Sequence, residues 1–209
     1  MNVQEATTRR LPDLKERHLP ENCRETINTI LKETYGYEQF RNLEIYDDLS
    51  KGKEKLCISQ GQLIENVILE AEKAWKGETQ VDNILLTAPT GSGKSLLFQL
   101  PAIYLGKEYN LLTIVVSPLK ALIVDQVESL QELGYTRVAY ASSDLSPEQK
   151  MEVYRQVREG EIDLFYLSPE LLLSYDIKHF VGERRIGLVV VDEAHTVTTW
   201  GKAVSYTHL

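Results

Sequence analysis

The hydrophobic period changes along the chain. Near the N-terminus apolar positions recur at helical spacing. In segment 21–34, Ile27, Ile30 and Leu31 fall on one face, and Pro20 stands where a helix start tolerates it. In segment 62–75, Leu63, Ile64, Val67, Ile68, Ala71 and Trp75 make a second helical stripe, ended by Gly77. The polar stretch 1–20 reads as a linker, and the aromatic-rich stretch 35–60 as a loop. From residue 83 onward short continuous apolar runs appear at 84–87, 112–117, 137–140, 164–167 and 188–191. Amphipathic segments at 94–104, 119–133 and 147–159, and a less regular one at 169–181, separate them. Strands apolar on both faces, joined by segments of helix length, predict an α/β fold: a parallel sheet flanked by helices. The part before it is a mostly helical N-terminal extension. Ligands of such sheets bind at the carboxyl ends of the strands.

Composition narrows the class. The chain has 209 residues, 43% of them hydrophobic, which excludes wholesale disorder. No apolar run reaches the roughly 18 residues of a membrane helix, and the first twenty residues carry no signal-peptide core. Cys23 and Cys57 stand far apart with no CxxC, which excludes a disulfide scaffold or zinc ribbon and fits a reducing cytoplasm. The formal charge of −8 argues against a basic nucleic-acid coat and leaves room for local contacts. His18 and His179 read as surface residues, and Lys178, Arg184 and Arg185 as a solvated basic face.

The strongest local signal is Ala88-Pro89-Thr90-Gly91-Ser92-Gly93-Lys94-Ser95, between an apolar run and a helical segment. This is the strand–loop–helix setting of a phosphate-binding loop. Gly91 and Gly93 let the backbone aim successive N–H groups at phosphate oxygens, and the helix N-terminus adds its dipole. Lys94 would reach the β- and γ-phosphates of ATP, and the Ser95 hydroxyl would coordinate Mg²⁺. Thr90, Gly91, Ser92 and Gly93 complete the ATP-binding set.

A second signal lies at 188–195, where four apolar residues run into Asp192-Glu193-Ala194-His195. Alone, Asp-Glu-x-His could equally be a helix N-cap with an acidic first turn. Behind a phosphate loop, Asp192 is placed to hold the metal and Glu193 to orient and deprotonate an attacking water. His195 would link the nucleotide site to the substrate. No second His or Cys stands at ligand spacing for zinc.

These motifs together resemble superfamily 2 helicases, and further segments resemble the RecQ-like DNA helicases. The run Val115-Val116-Ser117-Pro118-Leu119-Lys120-Ala121-Leu122 is similar to that family's motif Ia, and Tyr166-Leu167-Ser168-Pro169-Glu170 to its Y-x-S/T-P-E segment. Ser142-Ser143 sits where the family has a small polar pair. Tyr35-Gly36-Tyr37-Glu38-Gln39-Phe40-Arg41 resembles the start of motif 0, and Thr196-Val197-Thr198-Thr199-Trp200-Gly201 the segment after the acidic box. The resemblance covers roughly residues 35–201. It implies the first RecA-like domain of an ATP-driven motor that moves 3′ to 5′ on single-stranded or forked DNA. A second RecA-like domain, outside this chain, would supply an arginine to the ATP cleft. Lys94, Asp192, Glu193 and His195 are then catalytic. Ser117, Leu119, Lys120, Ser142 and Trp200 are nucleic-acid contacts, made largely to the backbone. Another superfamily 2 translocase, acting on RNA or on duplex DNA in a defence or restriction complex, is the alternative.

The sequence departs from the family twice. The motif 0 glutamine, which reads the adenine edge through its paired donor and acceptor, should closely follow Phe40-Arg41. Here residues 42–58 intervene and Gln60 and Gln62 are the candidates. Gln62 opens the helix leading to the loop and is preferred. Tyr35, Tyr37 or Phe40 could stack on adenine or serve the core. The second departure is the end of the chain. Residues 203–209, Ala-Val-Ser-Tyr-Thr-His-Leu, resemble translated sequencing adapter, so 202–209 is expected to be a non-native tail. The expected organisation is 1–34 as linker and helix, 35–201 as the ATP-binding domain with its core at 83–201, then that tail.

Overall fold

The computed structural model describes residues 16–46, 55–86 and 91–193. The chain forms two compact units, Met1–Tyr104 and Leu105–Leu209. No helix among the described residues is long and apolar enough to cross a membrane.

In the first unit, helix α1 (Glu21–Tyr35) buries Ile27, Ile30 and Leu31, the stripe read from the sequence. Gly36 ends it with φ +69, its N–H donating to Lys32 O, a backbone turn that glycine makes without a Cβ clash. Strands β1 (Asn42–Tyr46) and β2 (Lys55–Ser59) follow, paired antiparallel with Asn42 opposite Ser59. The loop expected over 35–60 is therefore in part a hairpin. Leu43, Ile45, Leu56 and Ile58 fall at period 2, but the pairing joins residues on either side of a long connection, which the alternation alone does not announce. Helix α2 (Gln60–Trp75) starts two residues before the expected position because Ser59 caps it, accepting from Gly61 N at 3.2 Å.

Residues 17–20 are not a free linker. Leu19 is buried, and its N–H donates to Glu65 Oε2 on α2 at 3.0 Å. Arg17 pairs with Glu70, which also accepts from Lys73 and from Asp82 N. Burial alone would raise the Glu70 carboxyl, but the Asp82 N–H and the two cations hold it below its ordinary value. The strand expected at 84–87 is absent from residues 81–86, and residue 87 lies outside the described residues. Leu85 is 82% exposed. A strand persists only in a ladder, and this run has no pairing partner among the described residues. Helix α3 (Leu96–Tyr109) begins two residues later than the 94–104 segment and runs five further.

The second unit is the predicted parallel sheet. Strands β3 (Leu112–Val116), β4 (Val138–Ala141), β5 (Leu164–Leu167) and β6 (Ile186–Val191) lie in the order β4-β5-β3-β6, every pair parallel. All five residues of β3 and all four of β5 are buried, as two-faced apolar runs require. Helices α4 (Lys120–Glu132) and α5 (Pro147–Arg158) connect them. Ser146 starts α5 as a full capping box with Gln149, and Pro147 follows it. The segment 169–181 is two short helices, α6 (Pro169–Ser174) and α7 (Ile177–Val181). They separate because Tyr175 is extended and Asp176 caps the second by accepting from Lys178 N. Phe180 packs edge-on to Tyr154 of α5 at 5.1 Å, over Phe165 and Val157. β6 pairs only with β3 among the described residues, and Val189 and Val191 stay 57% and 45% exposed.

One charged cluster sits at the amino ends of these strands. Asp163, just before β5, is 2% exposed and takes Arg137 Nε at 2.6 Å, Arg184 Nη2 at 3.0 Å and Tyr135 OH at 3.1 Å. Arg184 is therefore no member of a solvated basic face: its side chain is 5% exposed and it also donates to the carbonyls of Val157 and Ile162. Burial lowers the Arg184 pKa while Asp163 opposes that shift, and the same carboxylate raises that of Arg137. Removing one partner of a buried ion pair strands the other charge. Asp163→Asn should lower unfolding stability by about 3 kcal/mol, read from urea unfolding; a loss below about 0.5 kcal/mol, the range of a plain surface substitution, would remove the cluster from the determinants of this unit.

Candidate functional site

The phosphate-loop residues Gly91, Ser92, Gly93, Lys94 and Ser95 lead directly into α3. Gly91 and Gly93 have φ +80 and +79, backbone that other residues adopt only with strain. A Cβ on Gly91 would meet nothing, so conformation alone demands glycine there. At Gly93 a Cβ would also lie 2.6 Å from Gln60 Nε2. The first helical bonds are short-range: Leu96 N donates to Gly93 O and Leu97 N to Lys94 O. Loop and helix start thus form one continuous turn. Thr90 lies outside the described residues.

The two candidate glutamines have separate environments. Gln60, at the start of α2, is 2% exposed. Its Nε2 donates to Ser92 O at 3.3 Å and Gly93 O at 3.5 Å, and its Oε1 accepts from Arg41 N at 3.2 Å. Gln62 instead lines a cleft of about 280 Å³ with Arg24, Asn28, Phe40 and Gly61. The Phe40 ring packs against the bare Gly61 backbone, where a Cβ would come within 2.6 Å of it. Tyr37 is exposed, stacks near Tyr35 and lies 5.9 Å from the Arg41 guanidinium; Tyr35 donates to Gln99 Oε1 on α3 at 3.2 Å.

In the second unit the parallel register puts the residues that follow the four strands on one rim. They are Ser117 after β3, Ser142 after β4, Ser168 after β5 and Asp192 after β6. Asp192 N extends the ladder by donating to Val116 O at 2.9 Å, and its Oδ1 accepts from Glu193 N at 2.9 Å. Glu193 has φ +50, unusual for a residue with a side chain and concentrated at functional positions. His195 and Trp200 lie outside the described residues.

The candidate nucleic-acid residues on this rim differ in reach. Ser117 is 1% exposed, its N–H donating to Leu167 O, and Ser142 is also buried, accepting from Asp144 N at 3.4 Å. Leu119 and Lys120 are exposed at the start of α4. Lys120 donates to Ser143 Oγ and, at 2.9 Å, to Asp144 Oδ1. The structure thus brings Lys120 to the Ser142-Ser143 segment. The two serines sit under the rim and Lys120 stands on it.

Residues 62–209 match the family described as DEAD/DEAH box helicase, which is well over half of the chain. The chain belongs to the DEAD/DEAH box helicase family. Curated relatives of this DEAD/DEAH box chain include "ATP-dependent DNA helicase RecQ" of Synechocystis, 33% identical over 85% of the chain and 31% of that protein. The protein of the same name in Bacillus subtilis is 32% identical over 83% of the chain and 24% of its own length. "ATP-dependent DNA helicase Q-like 5" of Arabidopsis thaliana is 34% identical over 84% of the chain and 16% of that protein. The chain thus spans less than a third of the length of these relatives. The match supports the RecQ-like resemblance drawn from the motifs, and the sheet with its flanking helices is consistent with the RecA-like α/β class.

The feature of this DEAD/DEAH box domain that sequence reasoning underrated is the loop contact of Gln60. Its signal was present in the pattern: a polar residue immediately after the Ser59 cap, followed by a glycine. Gly93→Ala should lower stability by about 1–3 kcal/mol through backbone strain together with the clash against Gln60. Adding Gln60→Ala removes the clash and leaves the positive φ, so the double variant should recover only part of the loss. Thermal unfolding of the two single variants and the double variant measures this, and strictly additive losses would exclude the contact.

Proposed function

We propose that this chain carries the ATP-binding half of a DNA-translocating motor that works 3′ to 5′. The observation that carries the reading is a phosphate loop with both glycines at positive φ opening a helix, in a chain whose sheet delivers Asp192-Glu193 at a strand's carboxyl end. The N–H groups of the loop and the α3 dipole bind the polyphosphate, with Lys94 adding a point charge. Ser95 and Asp192 offer a hydroxyl and a carboxylate, hard oxygen donors of the kind Mg²⁺ takes beside nucleotide phosphates. That ion, when bound, neutralises charge on the phosphates. Glu193 accepts the proton of the attacking water, and the positive φ of its backbone sets the direction of its side chain. Gln62, in the cleft beside Phe40, reads the base edge, while Gln60 holds the loop carbonyls. Lys120 and Leu119 touch the backbone of single-stranded or forked DNA, and His195 and Trp200 belong to the coupling between the two ligands. A second RecA-like domain would provide the other wall of the ATP cleft.

Fluorescent mant-ATP binding tests the nucleotide reading. Lys94→Ala should weaken binding about ten- to a hundredfold, the range of a charged hydrogen bond. Glu193→Gln should bind as well as the parent chain while losing whatever hydrolysis the parent shows. Unchanged affinity in Lys94→Ala would overturn the assignment of the loop.

A further inference from the structure

Lys120 is already occupied by an anion of the protein itself. Its ammonium group contacts Asp144 Oδ1 at 2.9 Å and Ser143 Oγ. Ser143 Oγ in turn lies 3.2 Å from the same carboxylate oxygen. A second cation closes the group from the first turn of α5: Lys150 Nζ donates to Ser143 O at 3.4 Å. Both partners of the ion pair are exposed, Lys120 by 44% and Asp144 by 70%. The donors are those of a phosphodiester site: two ammonium groups and a hydroxyl, open to solvent on the rim of a parallel sheet. The Asp144 carboxyl is held below its ordinary value by the Lys120 and Ser143 hydrogen bonds, with Lys150 adding to the field, so the placeholder stays charged at neutral pH.

We propose that Lys120, Ser143 and Lys150 form a nucleic-acid phosphodiester site, and that Asp144 occupies it until the backbone displaces it. The proposal deepens the reading of Lys120 as a DNA contact and rests on it. Exposed ion pairs are weak and screened by salt, so displacement by a polyanion is easy. Free inorganic phosphate, by contrast, gains nothing from neighbouring contacts along the strand. Asp144 therefore sets a threshold that favours an extended backbone over isolated anions. It adds Asp144 and Lys150 as determinants of affinity outside the helicase motifs.

The test is binding of a fluorescently labelled oligothymidylate to the full 209-residue chain, followed by anisotropy. Asp144→Asn should tighten binding about two- to fivefold at low salt, the scale of a surface ion pair, and the gain should shrink as salt rises. Lys150→Ala and Lys120→Ala should each weaken it. In the Lys120→Ala background Asp144→Asn should lose most of its effect, because the two residues act as one unit. Glu148→Gln, which removes a nearby charge paired to Ser146 and not to Lys120, separates this from a general change in field and should have a smaller effect. If Lys120→Ala leaves binding unchanged, the DNA reading of that residue fails. If Lys120→Ala weakens binding but Asp144→Asn matches Glu148→Gln, or acts equally in both backgrounds, the placeholder fails while the DNA reading stands. Inorganic phosphate that competes as strongly as unlabelled oligothymidylate, compared per phosphate at matched ionic strength, would give the site to free anions and overturn its assignment to a backbone.

Discussion

The second unit depends on β3. It lies between β5 and β6, is buried on both faces, and shares its register with each neighbour. Because all the pairs are parallel, the last residue of each strand arrives at the same edge. Hydrogen bonds from Ser117 N to Leu167 O and from Asp192 N to Val116 O continue the ladder one step beyond the strands. The residues proposed for the chemistry, Ser117 and Asp192 among them, are therefore placed by main-chain geometry. The main chain thus holds an acidic residue that follows four apolar ones in a defined position. The same ladder places the serines under the rim and leaves the helix-start lysine on it.

The opposite edge of the sheet works differently. There the strands begin, and their alignment is reinforced by charge, with Asp163 binding Tyr135 and Arg137 from one segment of chain and Arg184 from another. An ionic cluster of this kind is directional where apolar packing is not. It ties together the segments that precede β4, β5 and β6. The first unit uses a comparable device, with Glu65 and Glu70 of α2 securing the backbone of Leu19, the Arg17 side chain and the backbone of Asp82.

Legibility from sequence followed the reach of each interaction. The run 164–167 was read with its observed bounds, because a strand buried on both faces must be apolar throughout. The helix beginning at Pro147 and the stripe of α1 were legible because amphipathic faces are local. The hairpin of β1 and β2 was not, since its pairing depends on a partner a dozen residues away. Arg184 looked like a surface charge because nothing near it in sequence announces the carboxylate that buries it. The expected strand at 84–87 shows the converse: an apolar run states a preference, and pairing decides it. In the site, the glycines, Lys94, Ser95 and the Asp192-Glu193 pair were legible as a motif. The contact of Gln60 with the loop was not, because it follows from which glutamine the Ser59 cap turns toward the loop.

Among the described residues β6 has one hydrogen-bonding neighbour, and two of its valines face solvent. No proline or lysine lies within the strand to blunt it, the devices by which sheets usually discourage growth from a free side. A backbone edge of this kind can pair with one further strand, and Val189 and Val191, two residues apart, lie on one face beside it.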